Sequence, residues 1–519
     1  MNSLRWLDLA VIVLYMLAML GVGRWFARRQ ISTETYFVAS RSIPHWAMGV
    51  SIYATLITSI TFIAYPGSAY AGNWSELVPG FMVVGVLLLV GLVIIPFFRH
   101  AVGMSVYEYF EHRFGYGVRA YSAFAFAMGH FSKMGFVFYT LALTVSSMTG
   151  WNIYLVMVAT GAVTIYYTVI GGMEAVIWTD VIQGFIKVIG IVVCLGWLFV
   201  MMPGGIGAAF DLAAAQHKFS LGSTAFDLSS KSSIWVLSFY GFFWYLQKYT
   251  ADQTLVQRYL IAKSDRDALK GVALGALLCI PAWALFMLIG TLVWAYYQLS
   301  HEVLPATITK PDQIFPYFLT TKIPPGLAGL FMASLFSAAM SMLSSDLNCL
   351  SLVGVEDVYR RFRPQADDAR RLLVGKLIVG VCGALAILVA VVIAWKSERV
   401  LSFYFTVSSI VAGGLAGLFL LAFLSPRANR AGAWTGIVAC LLFTTYATLT
   451  SGKDRVLDLG TGNFPWAGVM IGVVGHVILL GTGWLGSLAF PSADRGASTR
   501  QLTLWGWLER RKEQVQPAA

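Results

Sequence analysis

Charged side chains are scarce in this chain of 519 residues: Asp, Glu, Lys and Arg make up 12% of it, whereas soluble domains carry about 25%. Cysteine is also rare, and none of the five cysteines forms a CxxC pair, so the sequence indicates neither a disulfide framework nor a zinc site. The patterns GxSxG, HExxH and GxxxxGK[ST] are missing, which argues against a hydrolase, a metalloprotease and an ATP-driven pump. These absences favour a membrane protein that is not an enzyme.

Long apolar runs are what the chain has instead, with 58% hydrophobic residues and a mean hydropathy of +0.72. A helix of roughly 20 apolar residues crosses the ~30 Å hydrocarbon core of a bilayer. The sequence predicts thirteen such spans, at 6–27, 45–70, 79–98, 118–148, 152–170, 176–202, 232–250, 270–298, 325–357, 372–395, 400–424, 433–450 and 464–487. Lys and Arg concentrate in one set of loops, which places the amino terminus outside and the carboxy terminus in the cytoplasm. The net charge of +11 is explained by these loops, so we expect the bilayer and no nucleic acid as a partner, and no obligate protein partner is evident.

The second span carries polarity that a plain anchor does not need. Residues 53–72 read YATLITSITFIAYPGSAYAG, with hydroxyls at Thr55, Thr58, Ser59 and Thr61 and a Pro66-Gly67 pair. Polar groups at bilayer depth are costly and mark functional positions by default. We therefore expect a binding site in this span, with a break in its helix.

Spans 6 and 9 add oxygen-bearing side chains. Asp180 is followed by Gln183 and Lys187 at helical spacing, and span 9 contains SAAMSMLSSDLNCLS at 337–351. Asp180 is either a functional carboxylate or a helix cap at the headgroup level, and we expect Lys187 to extend toward the interface. Hydroxyls and carbonyls with one carboxylate suit a monovalent cation, so sodium is the first candidate and a proton the second.

Lys133 lies in the middle of span 4, too far from either end for its ammonium to reach the interface. A charge at this depth requires a buried partner. That partner is either an internal carboxylate or the anionic group of a ligand.

Three motifs carry a resemblance to a known family: TETYFVASRSIP (33–44), GGMEAVIWTDVIQ (171–183), and SAAMSMLSSDLNCLS followed by EDVYRRF (356–362). With them the chain resembles the sodium:solute symporter family over roughly residues 5–430. The resemblance implies an all-α, leucine-transporter-like membrane fold with two inverted five-helix repeats, in which spans 2 and 7 are broken near the midplane. The implied parts are a first helix and cytoplasmic loop (1–44), the repeats (45–202 and 232–424), two peripheral helices (425–490) and a cytoplasmic tail (491–519).

The resemblance also implies one or two sodium sites. The principal site would use the carbonyls of Ala54, Ile57 and Ala338 with the hydroxyl of Ser341. Met342 stands where the family commonly has Ser or Thr, and because a thioether is a poor ligand for a hard cation, we expect this site to be weaker. The second site would consist of Asp180, Ser344 and Ser345.

The solute site is implied by the sialic acid symporters of this family, which hold a carboxylate with an Arg in the fourth span and hydroxyls on the broken helix. Lys133 aligns with that Arg, and Thr58 and Thr61 with the hydroxyls. Phe243 in span 7 would line the pocket, with ordinary bundle packing as the alternative. The expected function is sodium-coupled import of a small, anionic solute such as a sialic acid, by alternating access in a plasma membrane, the bacterial inner membrane being expected. The alternatives are a proton-coupled transporter of the same fold and a non-transporting membrane sensor.

Overall fold

The structure is a computed structural model and describes residues 6–306, 308–395, 413–452, 455–491 and 500–515. Within these ranges the regular structure is helical, and the only β-type pairing consists of two isolated bridges. The α-helices are α1 Trp6–Ala27, α2 Thr33–Val38, α3 His45–Leu56, α4 Ser59–Ala71, α5 Val78–Leu89, α6 Ile95–Ala101, α7 Tyr107–Phe114, α8 Tyr116–Thr149, α9 Ile153–Met201, α10 Gly205–Ala215, α11 Ile234–Thr250, α12 Gln253–Leu260, α13 Asp265–Ser300, α14 Ile314–Lys322, α15 Leu327–Val353, α16 Arg360–Phe362, α17 Asp368–Trp395, α18 Leu415–Leu424, α19 Arg430–Thr450, α20 Met470–Ala489 and α21 Leu504–Val515. The predicted all-α class is confirmed.

Every predicted span overlaps at least one helix of the described part. Eight of these helices are long and apolar enough to cross a membrane, and the bent pair α3–α4 makes a ninth. The beginning of the predicted span 400–424, residues 400–412, lies outside the described residues. The chain is therefore a helical membrane protein.

The second span is broken where its sequence predicts. Helices α3 and α4 meet at an angle of 59°, and the linking residues Ile57 and Thr58 have extended backbones, with ψ of 96° and 173°. Pro66 and Gly67 lie inside α4 and do not interrupt it. Instead, a Cβ added at Gly67 would lie 2.6 Å from Asp312 Oδ1, so this glycine allows a close approach of an outer loop.

The break predicted for span 7 lies elsewhere. Helix α11 is continuous from Ile234 to Thr250, and the chain leaves helical geometry only at Ala251 and Asp252. The Asp252 side chain then caps α12 by accepting a hydrogen bond of 2.9 Å from Thr254 N. Because this cap starts a new helix, the interruption follows the predicted span and does not divide it.

Helices α9 and α15 form the surroundings of the break in the second span. Helix α9 packs against α1, α3 and α15, and α13 packs against both α3 and α4. The long helix α9 changes direction at Gly172, which has a φ of +57°; a Cβ there would lie 2.8 Å from Tyr36 O. Glycine meets both demands, since it accepts positive φ and adds no side chain.

The first helix is tied to α15 by a buried carboxylate. Asp8 Oδ1 accepts hydrogen bonds of 2.7 Å from the backbone N–H groups of Gly326 and Gly329 at the start of α15. These N–H groups have no partner inside their own helix, and an acidic side chain is well placed at this positive end.

Candidate cation and solute sites

The break in the second span brings four predicted sodium ligands together. Ser341 Oγ on α15 lies 2.9 Å from the carbonyl oxygen of Ala54, to which it donates, and 3.4 Å from that of Ala338. Ile57, whose carbonyl also faces this cluster, is the first extended residue after α3. All four residues are buried. The residues predicted for the principal site therefore lie together and form a cluster of oxygen atoms.

A positive side chain of the protein already contacts this cluster. The ammonium of Lys187 donates to the carbonyls of Ala54 and Ile57, the latter at 2.9 Å, and to Ser341 Oγ at 2.8 Å. Lys187 is fully buried, so the prediction that it extends to the interface is wrong. The physical reason is that three oxygen acceptors satisfy the three donors of the ammonium inside the bundle.

The second predicted site also contacts a cationic side chain. Arg258 Nη2 on α12 donates to Asp180 Oδ2 at 2.9 Å and to Ser345 Oγ at 2.6 Å. The same nitrogen donates to Thr55 Oγ1 at 2.6 Å, and Arg258 Nε donates to Ser51 Oγ at 3.0 Å. The guanidinium thus joins α12 to α3, α9 and α15. The alternative that Asp180 is a cap at the headgroup level is wrong, because its carboxylate is paired inside the bundle.

The serines of the second site are engaged with their own helix as well. Ser345 Oγ donates to the carbonyl of Ser341 at 2.7 Å, and Ser344 Oγ donates to the same carbonyl at 3.2 Å. Ser345 nevertheless accepts from Arg258. The structure therefore brings Asp180 and Ser345 together through the guanidinium, and it shows Ser344 bonded to its own helix.

The two clusters have the ligand types that sodium prefers but not the charge. An ion among the carbonyls of Ala54 and Ile57 would lie about 3 Å from the Lys187 ammonium. Two unit positive charges at this separation repel by roughly 5 kcal/mol at an effective dielectric constant of about 20. The single carboxylate nearby, Asp180, is already paired with Arg258. In the described arrangement, the oxygens of each predicted position are bonded to a cationic side chain of the protein, Lys187 at the first and Arg258 at the second.

Lys133 has an internal carboxylate as its partner. Its ammonium lies 3.1 Å from Asp346 Oδ1 and 3.0 Å from Oδ2. His130 Nδ1 lies 2.9 Å from Asp346 Oδ1, and its Nε2 lies 3.3 Å from Asp252, which also pairs with Lys248. The first of the two alternatives for Lys133 is thus confirmed. The Lys133 side chain still keeps 30% of its surface accessible, so a ligand can contact it.

The amino-terminal end of α4 faces the break with several hydroxyls. Thr61 Oγ1 accepts from the backbone N–H of Thr58 at 3.3 Å, and Thr58 is half-buried. Ser59 Oγ is buried without a hydrogen-bond partner among the described residues. Helix α4 also contacts α8, the helix that carries Lys133.

Phe243 lies outside the region of the break in the second span. Its ring stacks on His476 of α20 with a centroid distance of 5.5 Å and packs in a cluster with Val236, Ala447 and Phe464. The expectation that it lines the solute pocket is therefore not met. The alternative, packing within the bundle, describes its position, because α11 turns this face toward the two peripheral helices.

These features define the class of the protein: a broken helix that exposes carbonyls in the middle of a helical membrane bundle is the architecture of a leucine-transporter-like secondary transporter. A nucleobase-cation-symport-1 family transporter, Mhp1, has the same fold, with a TM-score of 0.55 at 13% identity over 90% of this chain and 98% of that one. A solved Na+-coupled sialic acid symporter in a substrate-bound, outward-open state has a TM-score of 0.85 at 30% identity, over 94% of this chain and 99% of that one.

The chain belongs to the sodium:solute symporter family, whose model matches residues 36–440. It is 32% identical to a sodium/sialic acid symporter of Proteus mirabilis over 85% of this chain and 89% of that protein. It is also 31% identical to a sodium/sialic acid symporter of Aliivibrio fischeri, over 95% of both chains. These findings support sodium-coupled solute import as the activity of its class, and they identify a transporter rather than an enzyme.

Proposed function

We propose that this chain imports a small organic anion, such as a sialic acid, by alternating access across a plasma membrane. The observation that carries the proposal is the break at Ile57 and Thr58, after which the hydroxyl residues Ser59 and Thr61 at the start of α4 are buried. The relatives named as sodium/sialic acid symporters support the choice of solute. Basic loops support the orientation, with the amino terminus outside and the carboxy terminus in the cytoplasm.

The electrostatics of the break favour an anion. The first N–H groups of α4 are free of partners inside the helix, and the helix macrodipole places a partial positive charge there. The hydroxyls of Thr58 and Thr61 and the unpartnered hydroxyl of Ser59 supply further donors. A carboxylate at this end would gain charge-assisted hydrogen bonds.

Lys133 would complete the recognition of the carboxylate from α8. Its ammonium is shared with Asp346, so a solute carboxylate competes with an internal one for the same charge. We propose that Lys133 contacts the solute through its accessible side while it retains Asp346, whose Oδ1 also lies 2.9 Å from His130 Nδ1.

Alternating access would arise from the two repeats proposed for residues 45–202 and 232–424. The solute site lies on α4 and α8 of the first repeat, and the Asp346 partner lies on α15 of the second. A solute that contacts Lys133 changes the ion pair through which α8 and α15 join the two repeats, so it binds one relative arrangement better than the other, and this difference in affinity is what shifts the conformation.

The test is uptake of labelled solutes by proteoliposomes that contain the purified chain. We expect saturable accumulation of a sialic acid and weak or no uptake of its methyl ester, in which the carboxylate charge is removed. Lys133→Ala should reduce the affinity for the acid by roughly 10- to 100-fold, the value of a charged hydrogen bond, while Lys133→Arg retains a larger share of it.

Two outcomes would contradict the proposal. Equal transport of the acid and its ester would remove the anionic solute. Absence of accumulation for a panel of sialic acids, monocarboxylates and sugar acids would remove the import function for this class of solute.

A further inference from the structure

Both positions that the family resemblance assigns to sodium contain a positive side chain of this chain. We propose that Lys187 and Arg258 act as tethered cations at these positions, so that the described conformation forms without bound sodium. The inference concerns the ion requirement of the proposed importer and rests on that function, but its test needs no transport.

Lys187 makes the cross-links that an ion at the principal position would make. Its ammonium joins the carbonyls of Ala54 and Ile57, on the two sides of the last turn of α3, to the hydroxyl of Ser341 on α15. The side chain comes from α9, so three helices converge on one charge. Each ammonium donor has an oxygen acceptor, which leaves no unmet need for a cation among these oxygens.

Arg258 makes the corresponding cross-links at the second predicted sodium position. Its guanidinium contacts Asp180 on α9, Ser345 on α15 and Thr55 on α3, and it is fully buried. A guanidinium stays protonated in proteins, so this position keeps its positive charge at every pH at which the protein is folded. The charge is permanent, whereas a bound ion comes and goes.

The local balance of charge also disfavours an additional ion. Around the break there are two positive groups, Lys187 and Arg258, and one carboxylate, Asp180, whose Oδ2 is bonded to Arg258. With one carboxylate for two cations, a sodium ion has no uncompensated negative charge to bind.

Thermal unfolding of the purified full-length chain in detergent tests the inference. The midpoint is compared in NaCl and in choline chloride at equal ionic strength, with no solute present. We expect no sodium-specific shift for the wild-type protein. Lys187→Ala opens the oxygen cluster, and we expect that variant to gain a sodium-specific rise of roughly 3 °C at about ten times its dissociation constant for sodium.

Lys218→Ala is the matched control. Lys218 is also buried and also donates to backbone carbonyls of this span, those of Ala69, Tyr70 and Gly72. No serine hydroxyl or carboxylate joins that cluster in the described contacts. We expect this variant to unfold at the same temperature in NaCl and in choline chloride.

Direct binding of radioactive sodium to the wild-type protein keeps the inference falsifiable if Lys187→Ala fails to fold. Absence of saturable binding agrees with tethered cations. Saturable sodium binding by the wild-type chain, or a sodium-specific rise in its unfolding temperature, would overturn the inference. Failure of the import function would instead appear only in the proteoliposome assay, since neither of these measurements contains a solute.

Discussion

Two ammonium groups contact the second span, Lys187 at the carboxy-terminal end of α3 and Lys218 at that of α4, and their surroundings differ. At the break, Lys187 contacts two carbonyls and a serine hydroxyl in a fully buried position. At the carboxy-terminal end of α4, Lys218 donates to the carbonyls of Tyr70 and Gly72 at 2.7 and 3.0 Å. It also lies over the ring of Trp294 at 4.5 Å.

Lys218 does what any cation at the end of a helix does. The last carbonyls of a helix have no N–H partners within it, and the macrodipole makes this end negative. Its contacts come from the end of one helix and one aromatic ring. Lys187 instead joins helices that belong to different proposed repeats. This comparison indicates that carbonyls around a charge are not enough to define an ion position. The distinguishing property is the number of separate helices whose groups contact the charge.

The largest effect on stability is expected for the buried pair of Asp180 and Arg258. Asp180→Ala would leave the buried guanidinium of Arg258 without its carboxylate, and breaking a buried pair in this way costs about 3–5 kcal/mol of unfolding free energy. We expect little folded protein, measured by size-exclusion chromatography and thermal unfolding. The double variant Asp180→Ala with Arg258→Met should recover part of the loss. A single variant as stable as the wild type would show that the pair does not hold the bundle together.

A smaller effect on stability is expected for Lys218 at the carboxy-terminal end of α4. Lys218→Ala removes charged hydrogen bonds to the carbonyl end of α4, where water can replace part of them, so we expect a loss of about 1–2 kcal/mol. Lys218→Arg should retain most of the stability. Thermal unfolding measures both variants, and a loss as large as that of Asp180→Ala would remove the distinction between the two ends.

The smallest effect is expected for a cation outside the membrane-spanning segments. Lys322 lies 2.8 Å from Glu302 Oε1, and this hydrogen bond lowers the pKa of Glu302 and raises the pKa of Lys322. The stabilisation from Glu302 is present above the ordinary pKa of a glutamate and is lost as the pH falls through the lowered pKa. An exposed pair contributes up to about 1 kcal/mol.

Lys322→Gln tests this smallest effect. At pH 7 the variant should unfold slightly earlier than the wild type, and the difference should vanish in acid as Glu302 takes up a proton. A difference in unfolding temperature that stays constant from pH 7 into acid would contradict the assignment. The pH dependence would separate this exposed pair from Lys218, which faces carbonyls that do not titrate.

The fold could be predicted from local sequence because its signals are local. A run of apolar residues predicts a span wherever it occurs, and the hydroxyl-rich stretch before Pro66 marked the second span as unusual. The family resemblance located its break, which the structure places at Ile57 and Thr58. The family resemblance then supplied the arrangement of the spans. The break in span 7 was predicted at the wrong place. Its position depends on the helix cap formed by Asp252, and a hydropathy pattern does not reveal such a cap.

The side chains that fill the two predicted cation positions could not be predicted from local sequence. Lys187 is long enough to reach the interface, and what holds it inside is a set of oxygens from Ala54, Ile57 and Ser341, distant in sequence. Arg258 was not singled out as a site residue. A useful signal was available: Lys187 follows Asp180 by two helical turns, which puts both on one face of α9.

The capping of α15 by Asp8 has a consequence for how the first span behaves during transport. A helix that serves only as an anchor can be deleted or exchanged, but α1 supplies the carboxylate for two N–H groups at the start of the helix that carries Ser341 and Ser345. We therefore expect helices α1 and α15 to move together. Any rocking of the bundle must either carry both helices together or release this carboxylate first.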